Sequence, residues 1–381
     1  MDNEYLLAKA KNEQLHESGE CGGAVSSIFK YLLDEKIVDG VLVLTKGEDL
    51  YDGIPTFIEN SDEIINSCGS LHCSPTLYGD LLSKELKDKK VAISVKPCDM
   101  MAIKELEIRH QINPENIITV GLNCGGTVKP VTAEKMIKLF YDTDPQDVVK
   151  EEIDKGKFII ELKDGTEKSV KIDDLEDEGY GRRENCRRCV NKIPRQADLA
   201  CGNWGSANGW TFVEVTSQKG KEIIENAENK GYVETKTPGE KPIAIRSKIE
   251  KVMIKMGNKF QKRYLEKEYP SINQWDNYWN RCIECYSCRD ICPICYCIGC
   301  ELERDFYKDD STTRNPLTFQ AVRISHMAYS CINCGQCEDV CPMEIPIARI
   351  YQRMQNKYKE ISGYEAGHSD ELPPIYSPLK E

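Results

Sequence analysis

An α/β core with α+β elements, followed by a small cysteine-bearing C-terminal domain, is the fold class that the sequence predicts. Two observations predict it. Over residues 20–145 short apolar runs alternate with helical stretches, and near the C-terminus two cysteine runs repeat one spacing. With 381 residues the chain is long enough for about two domains and a sizeable core.

Helical spacing over residues 24–35 precedes the apolar run Val41-Leu42-Val43-Leu44, and the runs at 91–95 and 117–122 are each followed by a helical segment, starting near Asp99 and near Thr132. Strands alternating with helices pair in parallel under helical cover, so a largely parallel sheet is expected. Residues 157–162 and 167–172 flank Asp164-Gly165 and read as a hairpin, because Asp-Gly supplies the positive φ of a tight turn. An acidic run, 173–178, leads into a cysteine-bearing loop, 181–190, and residues 209–233 add a strand and a helix. Two prolines and a glycine among charges between Lys236 and Pro242 mark a boundary, giving a core of residues 1–238 and a second domain of residues 239–362. A long charged helix, 246–268, leads into that domain, and the polar stretch 363–381 reads as a tail, an arm on a partner or disordered.

The second domain carries Cys282-x2-Cys285-x2-Cys288-x3-Cys292-Pro293 and then Cys331-x2-Cys334-x2-Cys337-x3-Cys341-Pro342. This is the double ferredoxin spacing, in which three cysteines hold one 4Fe-4S cubane and the fourth crosses to the other. It assigns Cys282, Cys285, Cys288 and Cys341 to one cluster, and Cys331, Cys334, Cys337 and Cys292 to the second. A two-cluster ferredoxin-like domain moves single electrons. Cys295, Cys297 and Cys300 follow directly; three ligands do not close a cubane, so packing beside the second cluster is favoured over part of another metal site. The spacing of Ile345, Ile347, Ile350, Tyr351 and Met354 suits one buried helix face.

Nineteen cysteines in a short chain would suggest a secreted disulfide scaffold, but the first twenty residues show neither an apolar signal core nor a small-residue cleavage site. A reduced, cytoplasmic protein is expected. No stretch approaches the roughly 18 consecutive apolar residues of a spanning helix. A net charge of −12 makes nucleic acid an unsuited partner. The five histidines fit no metal spacing.

Four more cysteines occupy particular places: Cys98 and Cys124 just past apolar runs, and Cys186-x2-Cys189 on a loop. Cofactors collect at the carboxyl ends of strands in open α/β sheets, so these four either converge on a third 4Fe-4S cluster or include two small buried core thiols, Cys98 and Cys124.

The run Gly22-Gly23-Ala24-Val25-Ser26-Ser27, the loop Cys68-Gly69-Ser70, the Pro97-Cys98 turn, Gly121-Leu122-Asn123-Cys124, Asp154-x-Gly156-Lys157-Phe158, Cys186-x2-Cys189 and Ala197-Asp198-Leu199-Ala200-Cys201-Gly202 stand in one order along residues 20–235. In that order they resemble the beta subunits of coenzyme F(420)-dependent hydrogenase and formate dehydrogenase. The resemblance implies a flavin-binding core with FAD, a 4Fe-4S cluster in the same domain, and hydride exchange with the deazaflavin F(420). A double cluster motif placed after the core is similar to the formate dehydrogenase branch. That implies a molybdenum- or tungsten-pterin formate dehydrogenase alpha subunit as partner. A hydrogenase or heterodisulfide reductase complex and a non-catalytic electron relay are the alternatives. Val95-Lys96 replaces the family's frequent Gly-Thr, and Cys201 stands where many members lack cysteine, which leaves Cys201 as a rival to Cys98.

A flavin is the chemical converter between a hydride carrier and one-electron clusters. Gly22 and Gly23, opening an apolar helix, are the candidate pyrophosphate cradle, and Gly69 with Ser70 a second flavin contact. Arg182, Arg183, Arg187 and Arg188 bracket the CxxC pair; they either offset the charge of an anionic cluster or hold phosphates and carboxylates of FAD or F(420), with Lys96 as a further candidate. No residue is assigned as a catalytic acid, base or nucleophile.

Overall fold

The computed structural model describes residues 4–207, 209–267, 271, 274–297, 299–300, 302 and 316–373. Glu268 of the expected helix and residues 374–381 of the expected tail lie outside them. The chain forms two compact units, one of residues 1–76, 88–97 and 115–259, the other of residues 77–87, 98–114 and 260–381.

Among the described residues the first unit has eleven strands: β1 Glu4–Ala10, β2 Gly40–Lys46, β3 Gly53–Ile58, β4 Val91–Val95, β5 Ile117–Leu122, β6 Val148–Asp154, β7 Lys157–Leu162, β8 Glu167–Lys171, β9 Leu199–Gly202, β10 Thr211–Val215 and β11 Val233–Lys236. Eight of them make one sheet in the order β11-β1-β10-β9-β5-β4-β2-β3. Its centre is parallel, with β2 on β4, β4 on β5 and β5 on β9. Both flanks are antiparallel: β3 turns back on β2, while β10, β1 and β11 follow β9. The largely parallel expectation thus holds for the middle only, because pairing of β1 with β10 joins distant stretches that no local pattern announces. Strand β4 is buried along its whole length, as a central strand covered on both faces must be.

Helix α1, Ala24–Asp34, packs Ile28, Phe29 and Leu32 into the main core with Val41, Val43 and Val120. Helices α2 Pro97–Ile108, α3 Pro130–Tyr141 and α4 Gln218–Asn229 follow β4, β5 and β10, the first two within two residues of the starts expected from Asp99 and Thr132. β6, β7 and β8 form a separate three-stranded antiparallel sheet, with Gly165 at φ 81° in the β7–β8 turn. The acidic run becomes a one-and-a-half-turn helix, Ile172–Asp177, because Leu175 is fully buried beneath it.

Helix α5, Glu240–Lys267, begins directly after the Pro/Gly boundary, yet contacts keep its residues up to Lys259 in the first unit. Arg246 is the reason. Its side chain is 2% exposed and bonds Glu214 at 2.5 Å and the carbonyl of Ala200 at 3.2 Å. The first unit therefore extends beyond the 238/239 boundary expected from composition.

In the second unit, α6 Pro316–Met327 and α7 Ile347–Ser362 pack around Phe319, Met327, Ile345, Ile347, Ile350 and Tyr351. Residues 363–373 are not a loose tail. Tyr364 and Ala366 are buried, and Glu105 of α2, itself fully buried, accepts the Tyr364 hydroxyl at 2.7 Å and the Gly367 N–H at 2.6 Å. No helix among the described residues is long and apolar enough to cross a membrane.

Candidate functional site

In the second unit the two cysteine runs fold alike. Glu284 and Tyr286 in the first run, and Asn333 and Gly335 in the second, all take positive φ. This left-handed turning points successive amides inward, a backbone arrangement that suits an anionic group. The third cysteine of each run opens into a single helical turn, Ser287–Asp290 or Gln336–Asp339. Two cavities result. Cys282, Cys285, Cys288 and Cys341 line one, with Phe319 and Ile345 among its walls. Cys292, Cys331, Cys334 and Cys337 line the other, with Met327 and Tyr351.

The donors around the sulfurs are in place. The Glu284 N–H reaches Cys282 Sγ at 3.4 Å, the Gln320 amide reaches the same sulfur at 3.2 Å, and the Ile345 N–H reaches Cys341 Sγ at 3.5 Å. Among the described residues no group of three or more His, Cys, Asp or Glu is placed to hold a single metal ion. Quartets that rim a cavity instead fit a polynuclear cluster with one iron per thiolate. Burial pushes the Cys288 thiol up to about 11 and that of Cys337 well above its usual range, the direction expected for thiols sheltered in apolar walls before they meet a metal. Cys295 sits on the edge of this region, 3.8 Å from an Arg323 nitrogen, while Cys297 is exposed.

In the first unit three of the four remaining candidate ligands come together. The β4–β5 register pairs Val95 with Gly121, and Cys98 and Cys124 each follow three residues later. Cys124 is tied to the CxxC loop by its N–H to the Lys192 carbonyl at 2.9 Å, and the charges of Cys186 and Cys189 act on it directly. Cys186 lies 3.5 Å from the Thr127 hydroxyl and 3.9 Å from Arg183. Burial opposes ionisation there, but Arg183, the Thr127 hydrogen bonds and Lys192 outweigh it and hold the thiol below its usual range. Burial pushes Cys124 up to about 11 and raises Cys189 as well. Cys98 falls in the second unit, packed against its apolar cluster. Cys201 is fully buried in the main core on β9, and burial pushes its thiol up to about 12.

The arginines of this loop are engaged with protein groups. Arg182 bonds Glu176 at 2.6 Å and the Gly125 carbonyl at 3.3 Å, and Arg187 pairs with the other Glu176 oxygen at 3.1 Å. Arg188 is buried, and Lys96 donates to the Thr76 carbonyl at 2.9 Å. Spacing alone did not reveal Thr127, Lys192 or Glu176, because each is ordinary in sequence and acquires its place through long-range folding.

The candidate flavin segments also meet. Cys68 Sγ donates to Ser26 Oγ at 3.3 Å, and Glu20 accepts hydrogen bonds from the Ser70 hydroxyl and N–H, so the start of α1 and the Cys68–Gly69–Ser70 loop form one place. Gly69, at φ 90°, opens on free space, whereas a Cβ at Gly22 or Gly23 would strike the Gly209 or Leu15 carbonyl. Those two glycines are required by the chain's own close approach. What remains for an anion is the unpaired amide end of α1, with Lys150 of β6 beside Glu20.

Comparison with known proteins agrees with this architecture. Residues 5–83 and 88–241 match the N- and C-terminal models of the coenzyme F(420) hydrogenase/dehydrogenase beta subunit, and residues 278–345 match a 4Fe-4S dicluster domain. An F(420)-dependent formate dehydrogenase subunit beta of Methanocaldococcus jannaschii is 57% identical over 98% of this chain and 99% of its own. A formate dehydrogenase 1 subunit beta of Methanococcus maripaludis is 56% identical over 98% of both chains. A chain of the F(420)-reducing NiFe hydrogenase complex of Methanosarcina barkeri shares the fold, with a TM-score of 0.60 at 22% identity over 71% of this chain and 94% of that one. The chain belongs to the coenzyme F(420) hydrogenase/dehydrogenase beta-subunit family.

Proposed function

We propose that this chain is the beta subunit of an F(420)-dependent formate dehydrogenase, an oxidoreductase whose alpha-subunit partner oxidises formate at a molybdenum or tungsten pterin. The observation that carries this reading is the end-to-end match to formate dehydrogenase beta subunits, with the dicluster domain after the core. When bound, 4Fe-4S clusters supply one-electron transfer, and FAD converts single electrons into the hydride that F(420) accepts.

The chain's own residues divide the work. Cys282, Cys285, Cys288 and Cys341 would hold one cluster, and Cys292, Cys331, Cys334 and Cys337 the second. Cys124, Cys186 and Cys189 would supply three ligands of a third, and Arg183 and Lys192 would offset its charge. FAD would lie with its phosphates at the start of α1 and against Gly69 and Ser70, near Lys150.

The test is anaerobic co-purification with the partner. The expected result is about twelve irons, four for each cubane, and one releasable FAD per beta chain. Cys282→Ser or Cys331→Ser should abolish formate-driven F(420) reduction and leave hydride exchange between F(420) and the flavin intact. A partner that oxidises something other than formate, or coupled turnover that survives both substitutions, overturns the proposal.

A further inference from the structure

The two quartets of the second unit are built alike but are not electrostatically alike. Helix α6 faces both cavities: Phe319 and Gln320 line the first, and Arg323 and Met327, about one turn further on, line the second. The first cavity therefore receives a neutral amide, with Gln320 Nε2 at 3.2 Å from Cys282 Sγ. The second receives a guanidinium. Arg323 is 3% exposed, so solvent does little to screen its charge.

Its partners fix it in place without neutralising it. Nη2 donates to the Cys288 carbonyl at 2.9 Å, Nη1 reaches Cys295 Sγ at 3.8 Å, and Nε is buried with no hydrogen-bond partner. The Cys288 carbonyl belongs to the first quartet, and the charge acts on Cys288 as well as on Cys292 of the second, but the side chain lines the second cavity and not the first. Among the described residues that line the second cavity, Arg323 is the cationic member and none is a carboxylate.

We propose that Arg323 sets the order of the two dicluster potentials, raising that of the cluster held by Cys292, Cys331, Cys334 and Cys337 above that of its neighbour. Reduction adds one negative charge to a group already anionic, and a fixed buried cation stabilises the reduced form more than the oxidised one. Electrons entering the module then settle on the second quartet. The inference rests on the reading that both quartets hold 4Fe-4S clusters.

The experiment is an anaerobic redox titration, followed by electron paramagnetic resonance, of the full chain and of its Arg323→Gln and Arg323→Lys variants, with iron measured on each. Signals are assigned from Cys282→Ser and Cys331→Ser. Arg323→Gln is expected to lower the reduced-to-oxidised ratio of the second cluster about tenfold at the wild-type midpoint, about 59 mV for a one-electron couple. Arg323→Lys should restore most of it, and the first cluster should move less. An unchanged second midpoint in Arg323→Gln, or a lysine variant shifted as far as the glutamine one, overturns the proposal. If Arg323→Gln loses iron, the wild-type order decides: a second quartet that titrates at or below the first also overturns it. A wild-type chain lacking both module clusters by iron analysis refutes the cluster reading itself, which is a separate outcome.

Discussion

The two units gather cysteines by different means. In the second unit the eight dicluster candidates fall within residues 282–341, and positive-φ turns two and four residues past the first cysteine of each run wrap the chain around its cavity. In the first unit Cys124, Cys186 and Cys189 are spread over residues 124–189, and their approach depends on the Lys192 carbonyl and the Thr127 hydroxyl. A local motif specifies its own geometry; a dispersed set inherits geometry from the whole fold. The dispersed site should therefore be more sensitive to distant substitutions, and its fourth ligand is the point at which the comparison can be broken.

The largest effect should come from Cys186→Ser set against Cys98→Ser and Cys201→Ser. Loss of Cys186 is expected to remove about four irons per chain and leave the dicluster signals unchanged. Cys98→Ser should match it, whereas Cys201→Ser, in a strand buried by the main core, should keep the iron. Iron analysis with paramagnetic resonance on each variant reads this directly. Depletion by Cys201→Ser with retention by Cys98→Ser would exchange their roles.

Next in size is the anchoring of the long helix. Arg246 and Glu214 are both almost fully buried; breaking such a pair costs up to about 3–5 kcal/mol, and less here because Arg195 stays bonded to Glu214 at 2.7 Å. Arg246→Ala should lower the urea midpoint of the first unit accordingly. Arg195→Ala removes a 40% exposed arginine from the same Glu214 and should cost roughly 1 kcal/mol or less. A chain ending at Pro238 lacks Arg246 and is expected to be destabilised like Arg246→Ala, while one ending at Lys259 keeps it. Equal unfolding midpoints for the two truncations would mean that the helix is not part of the first unit's fold.

The same contrast governs what the sequence could disclose. The central strands were legible because Val91–Val95 and Ile117–Leu122 are apolar runs between helical segments, and the dicluster sites because their ligands and turns share short motifs. Strands β1 and β9 were not: Glu4–Ala10 carries no strict alternation, and Leu199–Gly202 is four residues long. Arg246 and Arg323 both stand in charged or amphipathic helices, where an arginine ordinarily faces solvent, and only tertiary packing turns them inward. Gly22 and Gly23 were legible as glycines with a purpose, but the purpose the structure shows is close backbone packing against Gly209 and Leu15.

The smallest effect concerns the small sheet that carries Lys150 beside the candidate flavin segments. Glu151 of β6 is 1% exposed; one oxygen accepts the Cys73 N–H at 2.7 Å and the other is buried without a hydrogen-bond partner. Burial, the largest cause, pushes its carboxyl up from the ordinary 4.5 to about 7. The folded chain therefore holds this proton more tightly than the unfolded chain. Its contribution is complete below about 4.5 and is lost as pH rises through about 7, at most about 3 kcal/mol. The melting temperature of the first unit should accordingly fall between pH 5 and pH 7.5, and Glu151→Gln, which stays neutral, should flatten that fall. The described residues lining the two dicluster cavities include no carboxylate, so the cluster surroundings lack this dependence, whereas Asp80 elsewhere in that unit is raised by burial in the same direction. An undiminished slope in Glu151→Gln would assign the pH response to another group and remove this distinction between the units.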